Sequence, residues 1–135
     1  MSYLFDADVL SNPLKKLPSR ALLQRLARIP ADEQFTSTIT VGEMIYGAHK
    51  STRTDQFIEQ LNTKVWPKIH ILPFDEDAAQ VYGRLRAHLE RQGTPLAEPD
   101  LRIAAIALTH GLVLVTGNTG HFSRVSDLVV ENWLE

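Results

Sequence analysis

The chain holds 135 residues at a formal charge of −2, with 44% hydrophobic and 22% charged residues and no cysteine. That length accommodates one domain with a core of its own, and the missing cysteine excludes disulfides and thiol catalysis. No apolar stretch reaches the roughly 18 residues of a membrane span, and no basic-then-apolar leader opens the chain, so a cytoplasmic protein with no membrane association is expected.

The charge is unevenly spread. Residues 9–31 contain Lys15, Lys16, Arg20, Arg25 and Arg28 and no acid, so these five positive charges leave the rest of a −2 chain at −7. Such a strip suits either a solvated helix face or contact with a phosphate backbone.

In chain order, "SYLFD" reads as a short buried strand over 2–6 that ends at Asp6. Ser19 is placed to cap a helix over 20–29, with Leu22, Leu23, Leu26 and Ile29 on one face and arginines opposite. Residues 34–39 are rich in β-branched side chains and predict a strand, with a helix from Val41 to about His49. A further helix is predicted over 54–66, with Phe57, Ile58, Leu61 and Val65 inward. Pro67 separates it from a strand over 69–72. Residues 75–91 form a long amphipathic pattern that Gly93 stops. Pro99 starts a helix that is apolar nearly all round and therefore buried, and Gly111 ends it. "LVLVT", 112–116, has the continuous apolar character of a parallel strand covered on both faces. Residues 128–130 are the candidate last strand.

Alternating strands and helices predict an α/β fold, a three-layer α/β/α sandwich with a mainly parallel central sheet. Ligands of such sheets bind beyond the carboxyl ends of the strands. Asp6 and Asp8 lie just past the first strand. Thr116, Gly117 and Asn118 lie just past "LVLVT". If those strands are neighbours, the two ends converge.

Glu43, Glu98 and Asp100 are the other acids placed near strand ends. Clustered carboxylates repel unless a cation neutralises them, and hard oxygen donors favour Mg²⁺ or Mn²⁺. Bland roles compete. Thr40-Val41-Gly42-Glu43 matches a capping box, Asp100 complements a helix dipole, and Asp8 and Glu98 suit turns or solvent. The five histidines show no paired metal spacing, which argues against zinc. Phosphate-cradling glycine loops and the G-x-S-x-G elbow are absent.

Four stretches, "YLFDADVLS", "TVGEMIYGA", "GTPLAEPDLRIAAIAL" and "LVLVTGNTGHFSRVSDLVVENW", follow one another over nearly the whole chain. As a set they resemble the PIN domains of VapC-type toxins, metal-dependent ribonucleases of bacterial toxin–antitoxin pairs. The resemblance implies a single PIN domain over 1–135 that hydrolyses RNA with Mg²⁺ or Mn²⁺. It implies that Asp6, Glu43 and Asp100 are the catalytic acids, with Asp6 and Asp100 on the metal. Asp8, standing where the family often has Asn, and Glu98 would support them, as would Thr116, Asn118 and His121. It further implies a homodimer, a cognate VapB-type antitoxin that lays an apolar helix in a groove near the first helices and a basic side chain in the acidic site, and an RNA substrate of which transfer RNA is one example. The basic strip, Lys15, Lys16, Arg20, Arg25 and Arg28, would then contact RNA backbone.

The sequence departs from the family where many members carry a fourth acid, at the position of Asn118 or of His121. With that charge missing, one firm divalent site is expected, and a second only with RNA present. Two other readings remain. "FDADV" also fits the opening of haloacid-dehalogenase-like phosphatases, with Asp6 as nucleophile. The missing fourth acid also fits a PIN-like module that binds RNA or a partner and cleaves weakly.

Overall fold

The first strand of the chain becomes the middle of the sheet. The computed structural model describes residues 1–135. Its strands are β1 (Tyr3–Phe5), β2 (Gln34–Ser37), β3 (His70–Leu72), β4 (Val113–Val115) and β5 (Val130–Glu131). They form one sheet in the order β3-β2-β1-β4-β5, and every pairing is parallel. The chain steps outward from β1 to β3, then crosses back to lay β4 on the other side of β1. The β1/β4 seam is therefore the point where strand order reverses, the usual place for a ligand crevice.

Seven helices cover the sheet: α1 (Ala7–Ser11), α2 (Arg20–Leu26), α3 (Thr38–Lys50), α4 (Thr54–Gln60), α5 (Glu76–Arg91), α6 (Glu98–His110) and α7 (Thr119–Phe122). Alternation along the strands divides the core in two. Leu4 and Leu114, paired in register, point to one face and pack with Ala78 and Leu89 of α5, Ile103, Ala104 and Ala107 of α6, and Phe122. Phe5 and Val115, the next pair, point to the other face and pack with Val9 of α1, Leu22 of α2 and Trp133. Trp133 is fully buried and meets Tyr3 and Phe5 edge-on. Each large apolar side chain so enclosed contributes about 1.5–3 kcal/mol. This is the predicted three-layer sandwich, with a sheet that is wholly rather than mainly parallel.

α6 is buried along Leu101 and Ile103–Ala107, and its alanines let it lie close to the sheet. It stops at Gly111, whose φ of 64° is a left-handed conformation that suits glycine. No helix is long and apolar enough to cross a membrane.

Several boundaries differ from the sequence reading. β2 ends at Ser37 and α3 starts at Thr38, three residues before the expected Val41. The β-branched run Thr38–Val41 favours a strand locally, but Ser37 caps the helix by accepting the Thr40 N–H at 3.0 Å. α2 stops at Leu26 instead of 29, where tighter turns take over. The 54–66 helix is regular only to Gln60 and widens over Leu61–Val65 before Pro67 breaks it. β3 begins at His70, and β5 covers Val130–Glu131 instead of 128–130. α1 and α7 are short helices that no long periodic pattern announced.

Candidate active site

Asp6 is the first residue past β1. Its backbone N–H donates to Val115 O at 3.0 Å, which ties the end of β1 to the end of β4. Its Oδ1 accepts the Ala7 N–H at 2.8 Å and so helps to start α1. Its Oδ2 accepts from Thr116 Oγ1 at 2.8 Å, and that hydroxyl oxygen accepts the Asn118 N–H at 3.0 Å. Asp6 is only 6% exposed and Thr116 fully buried. Burial pushes the Asp6 carboxyl above its ordinary range. The Ala7 and Thr116 hydrogen bonds oppose that shift, and the charges of Asp8 and Asp100 add to it.

Asp8 reaches from α1 to the same loop, where its Oδ2 accepts the Gly117 N–H at 2.8 Å. A Cβ at position 117 would stand 2.5 Å from that oxygen, so a glycine is needed for the approach. The other oxygen, Oδ1, is buried without a hydrogen-bond partner. Buried polar atoms are normally satisfied, so an orphaned carboxylate oxygen beside a second buried carboxylate calls for a donor or a cation.

Glu43 is the sixth residue of α3. The Thr40 N–H belongs to Ser37 Oγ, and Thr40 is not the residue that precedes the helix, so the capping-box reading of Glu43 is removed. The residue is exposed, yet its carboxyl is also pushed up, first by partial loss of water and then by the charges of Asp6 and Asp100. Asp100, in the first turn of α6, completes the group.

The ion pairs of the chain leave Asp6, Asp8 and Glu43 without a cationic partner. The basic-capable neighbour of the group is His121 on α7, whose Nδ1 lies 3.5 Å from Asp100 Oδ2. All-oxygen donors, uncompensated charge and an orphaned buried oxygen fit a hard divalent cation. The donors are not closed around one point, since no three His, Asp or Glu side chains stand close enough to grip an ion as they are. Rotation of exposed Glu43 and of Asp100 toward Asp6 would have to complete the shell.

Glu98 takes a different course. Its carboxylate accepts from Tyr82 Oη at 2.6 and 2.8 Å, and it pairs with Arg86 at 3.2 Å and Arg102 at 3.3 Å. The Tyr82 hydrogen bond, then Arg86 and Arg102, hold its carboxyl below the ordinary range. It is already neutralised on the α5–α6 surface and is not drawn into the Asp6 group. Among the basic strip, Lys15, Lys16, Arg20 and Arg28 are exposed. Arg25 is exposed too, but its guanidinium pairs with Glu131 at 3.3 Å and lies over the Trp133 ring at 4.4 Å.

One contact escaped sequence reasoning. Gly117 was visible only as a loop glycine; the contact with Asp8 spans 109 residues and has no local signal. A groove of about 460 Å³ runs beside Asp8, lined by Leu14, Met44, Ala48, Phe57 and Leu61, with Lys15 at its rim. Of its apolar residues, the sequence places Phe57 and Leu61 on an inner helix face, and the groove lies near the first helices, where the antitoxin helix is expected.

With its all-parallel sheet and acids gathered near the strand ends, the chain belongs to the PIN domain family, whose sequence pattern matches residues 3–128. The particular relatives are VapC proteins. The chain is 33% identical to "Ribonuclease VapC2" of Haemophilus influenzae, over 99% of each sequence. It is 32% identical to the "tRNA(fMet)-specific endonuclease VapC" of Shigella flexneri, over 98% of each. The structure of VapBC-1 from nontypeable Haemophilus influenzae superposes with a TM-score of 0.88 at 29% identity, covering 100% of both chains.

Proposed function

We propose that this chain is the toxin of a type II toxin–antitoxin pair, an endoribonuclease that hydrolyses RNA phosphodiesters with Mg²⁺ or Mn²⁺ and is silenced by a VapB-type antitoxin. The observation that carries the metal-dependent reading is the group Asp6, Asp8, Glu43 and Asp100 at the strand ends, where the raised carboxyls of Asp6 and Glu43 meet no lysine or arginine. Full-length similarity to VapC ribonucleases supports the nuclease class.

Asp6 and Asp100 would hold the ion, with Asp8 behind Asp6. A divalent ion bound there supplies positive charge to a phosphoryl oxygen and makes a nearby water more acidic. Thr116 Oγ1 fixes Asp6 Oδ2, so the carboxylate presents its remaining lone pairs in one direction. Glu43, at the open edge with a raised carboxyl, accepts a proton from the attacking water at its carboxylate oxygen. Asn118 and His121 border the seam where a scissile phosphate would lie. Lys15, Lys16, Arg20 and Arg28 offer backbone contacts, which position RNA without reading it; Arg25 contributes less, being held by Glu131.

The antitoxin reading rests on the VapBC neighbours and on the apolar groove beside Asp8. An amphipathic segment laid there would bring a basic side chain to the acids. A homodimer and a transfer RNA substrate are part of the same proposal, the latter from the name of the Shigella relative. The phosphatase reading is disfavoured by the full-length similarity to VapC ribonucleases. Incubating the protein with labelled RNA and Mg²⁺ or Mn²⁺ tests the proposal. Cleavage that chelator, Asp6→Asn and Asp100→Asn each abolish is expected. Phosphate release from small monoesters, or RNA binding without cleavage, would overturn it.

A further inference from the structure

His121 stands at the edge of the acidic group, beside a proposed metal ligand. We propose that His121 supplies a nitrogen donor next to Asp100, so that the site prefers a first-row transition ion, with Mn²⁺ as probe, over Mg²⁺. The inference rests on the metal-dependent reading above and extends it to the choice of ion.

Geometry is the first argument. Two adjacent ligands of an octahedral ion, each about 2.1 Å from it, are about 3 Å apart. His121 Nδ1 and Asp100 Oδ2 are 3.5 Å apart, so a small rotation turns them into one edge of a coordination shell. Freedom to rotate is the second. The His121 side chain is 60% exposed, and its ion-pair partner is Asp100. Its backbone, in contrast, is fixed. The His121 N–H donates to Asn118 O at 3.1 Å, the Ser123 N–H donates to Thr119 O at 2.9 Å, and the next residue, Phe122, is fully buried. The imidazole thus swings on a rigid base at the seam.

Chemistry is the third argument. Mg²⁺ takes oxygen ligands and keeps its waters, whereas imidazole suits transition ions. A nitrogen donor in the shell therefore adds more to the binding of a transition ion than to that of Mg²⁺. No other histidine serves this site: His70 lies tilted against Phe35, while His49, His88 and His110 occupy the last turns of α3, α5 and α6.

Calorimetric titration of the full chain with Mn²⁺ and with Mg²⁺ separately, without RNA, tests this, together with pulsed electron paramagnetic resonance of the Mn²⁺-loaded protein. The Mn²⁺/Mg²⁺ affinity ratio of the wild type should exceed that of His121→Ala by about tenfold or more. The spin echo should carry nitrogen modulation that His121→Ala removes. His121→Glu should restore Mg²⁺ affinity and lower the ratio. Asp6→Asn should weaken both ions, which locates them at this site. Mn²⁺ bound with an unchanged ratio and no nitrogen modulation would overturn the proposal and leave metal dependence standing. Absence of saturable binding by either ion would overturn both.

Discussion

Glu98 and Asp100 are two residues apart on one helical turn and meet opposite electrostatic fates. Glu98 faces Tyr82, Arg86 and Arg102, which hold its carboxyl low. Asp100 faces Asp6 and Glu43, whose carboxyls are pushed up first by burial and then by neighbouring charge, that of Asp100 included. Only Pro99 lies between them, yet one carboxylate is satisfied by the protein and the other leaves its demand for positive charge unmet. An acid-rich stretch therefore says little until each side chain has been assigned a direction. A site of this kind is marked by acids the fold declines to neutralise.

The largest expected effect tests that contrast directly. Asp100→Asn should lower RNA cleavage by at least about 10²–10³-fold, the scale of losing one electrostatic stabiliser. Glu98→Gln should leave cleavage within a few-fold and the melting temperature nearly unchanged, as exposed ion pairs usually do. Equal losses in both would erase the distinction.

Next in size is Gly117→Ala. A methyl 2.5 Å from Asp8 Oδ2 must displace the loop or the carboxylate, a strain of about 1–3 kcal/mol. Pairing it with Asp8→Ala should recover part of the stability in chemical denaturation. Additive losses would mean that the two do not meet. Ser37→Ala removes the cap that sets where α3 begins and should cost about 1 kcal/mol in the same assay.

The smallest effect has an unusual sign. A carboxyl raised in the folded state opposes folding once pH exceeds that raised value, and the opposition vanishes below the unfolded value of about 3.8. Without divalent ions, Asp6→Asn should therefore raise the melting temperature at neutral pH by a few degrees. The gain should shrink as pH falls through the raised value toward the unfolded one. A lowered melting temperature at neutral pH would show that the Thr116 and Ala7 hydrogen bonds outweigh burial.

Periodicity and punctuation carried most of the architecture. The parallel strand at "LVLVT", the buried alanine-rich helix after Pro99 and its stop at Gly111 are all local patterns. The start of α3 was not legible, because β-branched Thr38–Val41 reads as strand and one serine cap overrides it. Within the acidic group, Asp6, Asp8, Glu43 and Asp100 stood out by position relative to strand ends. The fate of Glu98 was hidden, since Tyr82 and Arg86 reach it from the preceding helix. Arg25 was likewise indistinguishable from its basic neighbours until β5 brought Glu131 beside it.

The hydrogen bond from Thr116 to Asp6 joins partners 110 positions apart. Until Thr116 has been translated and β4 has docked on β1, Asp6 lacks that clamp and the seam does not exist. Local helices can form early, but a junction between such distant segments assembles late. A nascent or partly unfolded chain therefore lacks this acidic seam, which only the finished fold assembles.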